Sequence, residues 1–168
     1  MQRRQTPAAR EAGFTLTELM IVVGVVAILA VIAIPAYTRH VENAHRSEAE
    51  ANLTALAMLL EQHNALYGLY CPEADCGADN AEHTYEYTED DTGAVDSDTI
   101  TAWLRFRPKQ ATDNAAVRYD YEIVARGGSE YTVRATPAAG RGAPQGKNGG
   151  VLTLNQDGAK SYDGEAGW

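Results

Sequence analysis

Three groups of residues have types and spacings that could do chemistry. Glu18 is a lone carboxylate at the mouth of the uncharged stretch Leu19–Tyr37. An acid carried to the centre of a bilayer costs roughly 2.5–3.5 kcal/mol, so a compensating partner is expected. Cys71 and Cys76 are the two cysteines of the chain, with four residues between them. Outside the cytoplasm such a pair is expected to form a disulfide that closes a small loop. A zinc site with His63 or His83 is the competing use, but the spacing lacks the paired knuckles of structural zinc. Residues 71–99 hold ten acidic side chains and no lysine or arginine. Carboxylates at that density could hold Ca²⁺, yet no spaced D-x-D-x-D-G loop occurs. A solvated face is therefore expected, with no metal and no cofactor.

A further constellation is cationic. Arg105, Arg107, Arg118, Arg126 and Arg134 fall in segments that read as strands, with Trp103 and Tyr87 available as stacking rings. Basic plus aromatic surface is what nucleic acid strands bind. Against this stand Asp120, Glu122 and Glu130 as cross-strand neutralising partners and a net charge of -9. Nucleic acid is thus a candidate ligand of this face but not the favoured one. Ser47, Ser97, Ser129 and Ser161 lack a G-x-S-x-G setting, and no phosphate-binding glycine loop occurs. An enzyme is not expected.

The element that must position Glu18 is a helix. Leu19–Tyr37 is nineteen residues long, which at 1.5 Å per residue spans about 30 Å, the thickness of a hydrocarbon core. Arg3, Arg4 and Arg10 precede it, so the positive-inside tendency keeps the N-terminus cytoplasmic and sends the remainder outward. An ordinary signal peptide would be cut after the apolar core at small residues, and "AIPA" at 33–36 is a poor site. Pro35 and Gly24 soften the helix.

The stretch "AGFTLTEL", with Gly13, Phe14, Thr15, Leu16 and Glu18, resembles the type III leader of type IV prepilins. The resemblance implies cleavage between Gly13 and Phe14 by a prepilin peptidase that also N-methylates Phe14. It implies that Glu18 then meets the N-terminus of a neighbouring subunit during assembly, neutralising two charges in an apolar fibre core. Pro35 stands twenty-one residues after Phe14, where pilins carry a proline. "HRSEAEANLTALAMLLEQHNALYGLY" and the ending "LTLNQDGAKSYDGEAGW" resemble PilE-like minor pilins. The implied partners are other pilin subunits and an inner-membrane assembly platform. The implied course is a single-pass inner-membrane protein with a periplasmic head, then an extracellular pilus serving motility, adhesion or DNA uptake. DNA-binding minor pilins of natural transformation and type II secretion pseudopilins are the alternatives within the superfamily. Asp157, Asp163 and Glu165 match the calcium loop of the main pseudopilin poorly.

The rest of the chain reads as a head. Leu53, Leu56, Ala57, Leu60 and Tyr67 recur at helical spacing, and Gly68 supplies a C-cap. Residues 68–99 are expected to form an exposed acidic loop. "TAWLRFR", "VRYDYEIVAR", "EYTVRAT" and "GVLTLN" alternate with period two, as half-buried antiparallel strands do. "RGGS" at 126–129 should close a hairpin, Asp157-Gly158 should turn, and "TPAAGRGAPQGKNGG" should be a loop. The predicted fold is α+β: a cleaved leader 1–13, a transmembrane and assembly helix 14–38, and a head 39–168. The head divides into a helical spine 39–67, the acidic loop 68–99 and an antiparallel sheet 100–168.

Overall fold

A computed structural model describes residues 14–76, 81–90, 92–108, 116–144 and 149–168. Helix α1 (Leu16–Tyr67) runs through two compact units, residues 1–39 and 40–168. In the first unit its apolar side chains, among them Leu19, Ile21, Val25, Ile28 and Ile32, are exposed. This part contains an 18-residue window apolar enough to cross a membrane, none of it buried. Pro35 lies inside the helix. Its ring removes one backbone donor, and the Thr38 hydroxyl donates to the Pro35 carbonyl at 3.0 Å. The helix ends where Gly68 takes φ 76 and its N–H reaches the Asn64 carbonyl at 2.7 Å, a left-handed cap that satisfies a terminal carbonyl.

In the second unit α1 is followed by α2 (Glu73–Cys76), β1 (Glu82–Glu89), β2 (Val95–Asp98), α3 (Thr101–Leu104), β3 (Tyr119–Arg126), β4 (Glu130–Pro137), β5 (Leu152–Asn155), β6 (Lys160–Tyr162) and β7 (Glu165–Ala166). The strands make one antiparallel sheet in the order β2-β1-β3-β4-β5-β6-β7. Its inner face carries Tyr85 and Tyr87 from β1, Tyr119, Tyr121 and Ile123 from β3, and Tyr131 and Val133 from β4. These share a core with Ala49, Leu53, Leu56 and Leu60 of α1. The fold is the α+β arrangement that the sequence pattern predicts. The hairpin between β3 and β4 turns through Gly127 and Gly128, both at positive φ, as the right-handed strand twist demands of a tight turn. A side chain at Gly128 would also meet Leu69 Cδ2 at 2.5 Å.

Two segments depart from expectation. The acidic stretch 68–99 is not one exposed loop, since it supplies α2, β1 and β2. Tyr85, Tyr87 and Glu89 alternate inward along β1 while Glu82, Thr84 and Glu86 face outward and exposed, so Glu82 and Glu86 stay wet while the phenols and the Glu89 carboxylate are buried. "TAWLRFR" is not a strand. The Asp98 carboxylate accepts the Thr101 N–H at 2.7 Å, starting a single helical turn that ends at Arg105 with φ 53. The place beside β3 that this segment would need is taken by β1. Leu104 and Phe106 are still buried, but Ala102 is exposed. Strands β6 and β7 extend the sheet past the expected turn at Asp157-Gly158.

Candidate functional site

Phe14 is the first described residue and is 84% exposed. Gly13 and the leader lie outside the described residues. Next to Phe14, Thr15 and Glu18 close on each other. The Thr15 N–H and hydroxyl donate to Glu18 Oε2 at 3.1 and 3.0 Å, and the Glu18 N–H donates to the Thr15 hydroxyl at 3.2 Å. This is a capping box, in which a threonine and the glutamate three residues on satisfy donors that a helix start leaves open. It also sets an acid in the first turn, where the helix dipole favours one. The carboxylate that the sequence motif singles out is therefore held at the first turn of α1, beside Phe14.

The arginines do not form one face. Arg126 on β3 pairs with Glu82 of β1 at 3.0 Å, and Arg134 on β4 pairs with Glu122 of β3 at 2.7 Å. Asp120 is taken by Arg141. The expected pairing of Glu122 thus occurs, whereas Arg126 reaches Glu82 rather than its ladder neighbour Glu130. Arg118 precedes β3 and is half-buried; its charge, after burial, holds the His45 imidazole below the usual histidine range. Arg105 and Arg107 follow α3, are exposed, and form no ion pair among the described residues. The two rings expected to stack on a ligand are engaged elsewhere. Tyr87 is buried and donates to Glu89 at 2.6 Å. Trp103 is half-buried, edge-on to Tyr85 at 5.1 Å and to His63 at 4.8 Å.

Several carboxylates serve a purpose that charge counting does not reveal: they accept from tyrosines that lie in the core or pack against it. Asp75 takes the Tyr85 hydroxyl at 2.8 Å, Glu61 takes those of Tyr70 and Tyr131 at 3.1 and 3.2 Å, and buried Glu89 also accepts the Val117 N–H at 2.8 Å. Burial first, and these carboxylates next, push the hydroxyls of Tyr85 and Tyr87 well above the ordinary phenol range. Their signal in the sequence is the period-two "TYEYTE" within the acidic run. Cys71 and Cys76 are disulfide-bonded and buried, and among the described residues no group of three or more His, Cys, Asp or Glu could hold a metal ion.

Comparison with known proteins gives three findings. Residues 35–148 match the family described as "Type IV minor pilin ComP, DNA uptake sequence receptor". Residues 8–34 match the prokaryotic N-terminal methylation motif, so the two matches meet at Pro35. The chain is similar to the type IV major pilin protein PilA of Myxococcus xanthus (strain DK1622), 53% identical over 47 residues. That match covers 28% of this chain and 21% of the relative, well under two thirds of the relative's length. No solved structure matches.

Proposed function

We propose, for a chain that belongs to the family of type IV minor pilins described as ComP, DNA uptake sequence receptor, that it is a pilus subunit whose head captures DNA. The chain is a type IV pilin with an N-terminal methylation motif. In this reading a prepilin peptidase cuts after Gly13 and methylates Phe14. Residues 14–38 anchor the subunit in the inner membrane with the head in the periplasm, then polymerise with other pilin subunits at the assembly platform. Glu18, held at the helix start, supplies the negative charge that a neighbour's N-terminal amine needs in an apolar fibre core. The exposed apolar side chains of residues 16–34 support burial there against lipid or other subunits.

The observation that carries the DNA reading is the family match across 35–148, which covers most of the head. Electrostatics makes it specific. With a net charge of -9, the chain cannot hold the phosphate backbone by overall attraction. A local contact is needed, and Arg105 and Arg107, exposed and unpaired among the described residues, are the cations best placed to make it. Arg126 and Arg134 would first have to exchange a carboxylate for a phosphate.

The test is fluorescence anisotropy of a labelled duplex with the detergent-solubilised full chain, titrated from roughly 50 to 200 mM salt. Binding should weaken steeply with salt. Arg105→Ala and Arg107→Ala should each lower the logarithmic salt slope by about 1. Absence of any salt-sensitive binding would remove the receptor role and leave a structural pilin. Mass spectrometry of sheared filaments, read for a peptide beginning at methylated Phe14, tests the subunit role separately.

A further inference from the structure

We propose that the groove bounded by α2, β1 and α3 binds a guanidinium or alkylammonium group carried on an aliphatic stem. The groove has a volume of about 460 Å³ and is lined by Pro72, Asp75, Tyr85, Asp98 and Trp103, among others. Its wall thus combines two carboxylates with two aromatic rings, and no lysine or arginine lines it. Each carboxylate commits one oxygen to the fold: Asp75 Oδ2 accepts the Tyr85 hydroxyl at 2.8 Å, and Asp98 Oδ1 accepts the Thr101 N–H at 2.7 Å. Those bonds fix both groups in place and leave the second oxygen of each for a ligand. The rings are fixed as well, since Trp103 stands edge-on to Tyr85 at 5.1 Å and to His63 at 4.8 Å.

This chemistry selects a ligand. Two acids on the wall of one groove beside aromatic rings attract a cation, through charge-assisted hydrogen bonds and through the ring quadrupoles, and Pro72 with the ring edges offers apolar surface to an aliphatic stem. A bare divalent ion is a poor fit, because among the described residues no three-ligand group exists. Phosphate is repelled. The groove therefore serves a partner other than DNA, and its reading stands whether or not the head captures DNA. The cation could be a side chain of another protein or a free small amine; the recognising chemistry is the same.

Calorimetric titration of the detergent-solubilised full chain with agmatine and with acetyl-Gly-Arg-Gly-amide tests this. Saturable binding of at least one is expected; the tighter of the two names the source. Asp75→Asn and Asp98→Asn keep the acceptor oxygens for Tyr85 and Thr101 and so preserve the fold, but remove the charge. Each should weaken binding about tenfold or more, and the tripeptide with citrulline in place of arginine should not bind. The proposal is overturned if neither cation binds saturably at millimolar concentration, if the asparagine variants bind unchanged, or if citrulline binds as well as arginine.

Discussion

The Asn52 side-chain amide donates to the Tyr121 hydroxyl at 2.8 Å, inside the contact between α1 and β3, with both residues 2% exposed. Asn52 is thus a polar group among Ala49, Leu53 and Leu56, and it fixes the rotation of the helix against the sheet because leaving either partner unsatisfied is costly. Tyr121→Phe should destabilise the head by about 1–3 kcal/mol. In a cycle with Asn52→Ala, the two substitutions should couple by about 0.5–3 kcal/mol. Urea midpoints measure both, and additive effects would show that the bond contributes nothing.

Buried phenols make the head sensitive to alkali. Burial, reinforced by nearby negative groups, pushes Tyr119 up to about 12, and Tyr85, Tyr87, Tyr121 and Tyr131 are raised further. Unfolded tyrosine titrates near 10, so the native state holds these protons more tightly. Their contribution is fully present below about pH 10 and is lost as pH rises through the folded values. Phenolate absorbance should therefore rise together with loss of near-ultraviolet circular dichroism above about pH 12. His45 acts at the other end. Its depressed pKa, set by burial and then by Arg118, weakens the fold as pH falls below about 6.5.

Much of this architecture is legible in the sequence because its signals are periodic. Leu53, Leu56 and Leu60 announce the buried stripe, and Tyr119, Tyr121 and Ile123 the inner face of β3; all are buried. Tyr67, on the same helical pattern and the last residue of the helix, is exposed, its ring against that of His63. The acidic run contains a strand, and the alternation of Tyr85, Tyr87 and Glu89 that marks it lies within a dense series of exposed carboxylates. Leu104 and Phe106 fit a strand pattern, but the chain there makes a single helical turn whose first residue, Thr101, donates its N–H to Asp98, a contact that the alternation does not announce. The arginines illustrate the same limit. Composition lists them, whereas only the register assigns Arg134 to Glu122 and Arg126 to Glu82. Thr15-x-x-Glu18 could have been read directly as a capping box.

The disulfide between Cys71 and Cys76 closes a short loop around α2 and holds the segment from which Asp75 accepts the Tyr85 hydroxyl. A loop of that length contributes about 2 kcal/mol in the chain-entropy picture. Replacing both cysteines by serine should lower the urea midpoint accordingly without changing the slope, since the surface exposed on unfolding is similar. A much larger loss would mean that the bridge also holds the groove together, and agmatine binding by the same variant would register that.

Glu18 has two separable tasks, capping α1 through Thr15 and, in the proposed assembly, neutralising a neighbouring amine. Glu18→Ala removes both, and Glu18→Gln removes the charge while keeping an oxygen for the cap. Loss of the cap alone costs about 1 kcal/mol, too little to prevent a membrane-length helix from forming. Both variants should be cleaved after Gly13, as read by mass spectrometry of membranes, and both should be missing from sheared filaments. If Glu18→Gln enters filaments as well as the unaltered chain does, the carboxylate is a helix cap and nothing more. Failure of Glu18→Ala alone would place the defect in the first turn of the helix, because the uncharged amide still serves Thr15 there.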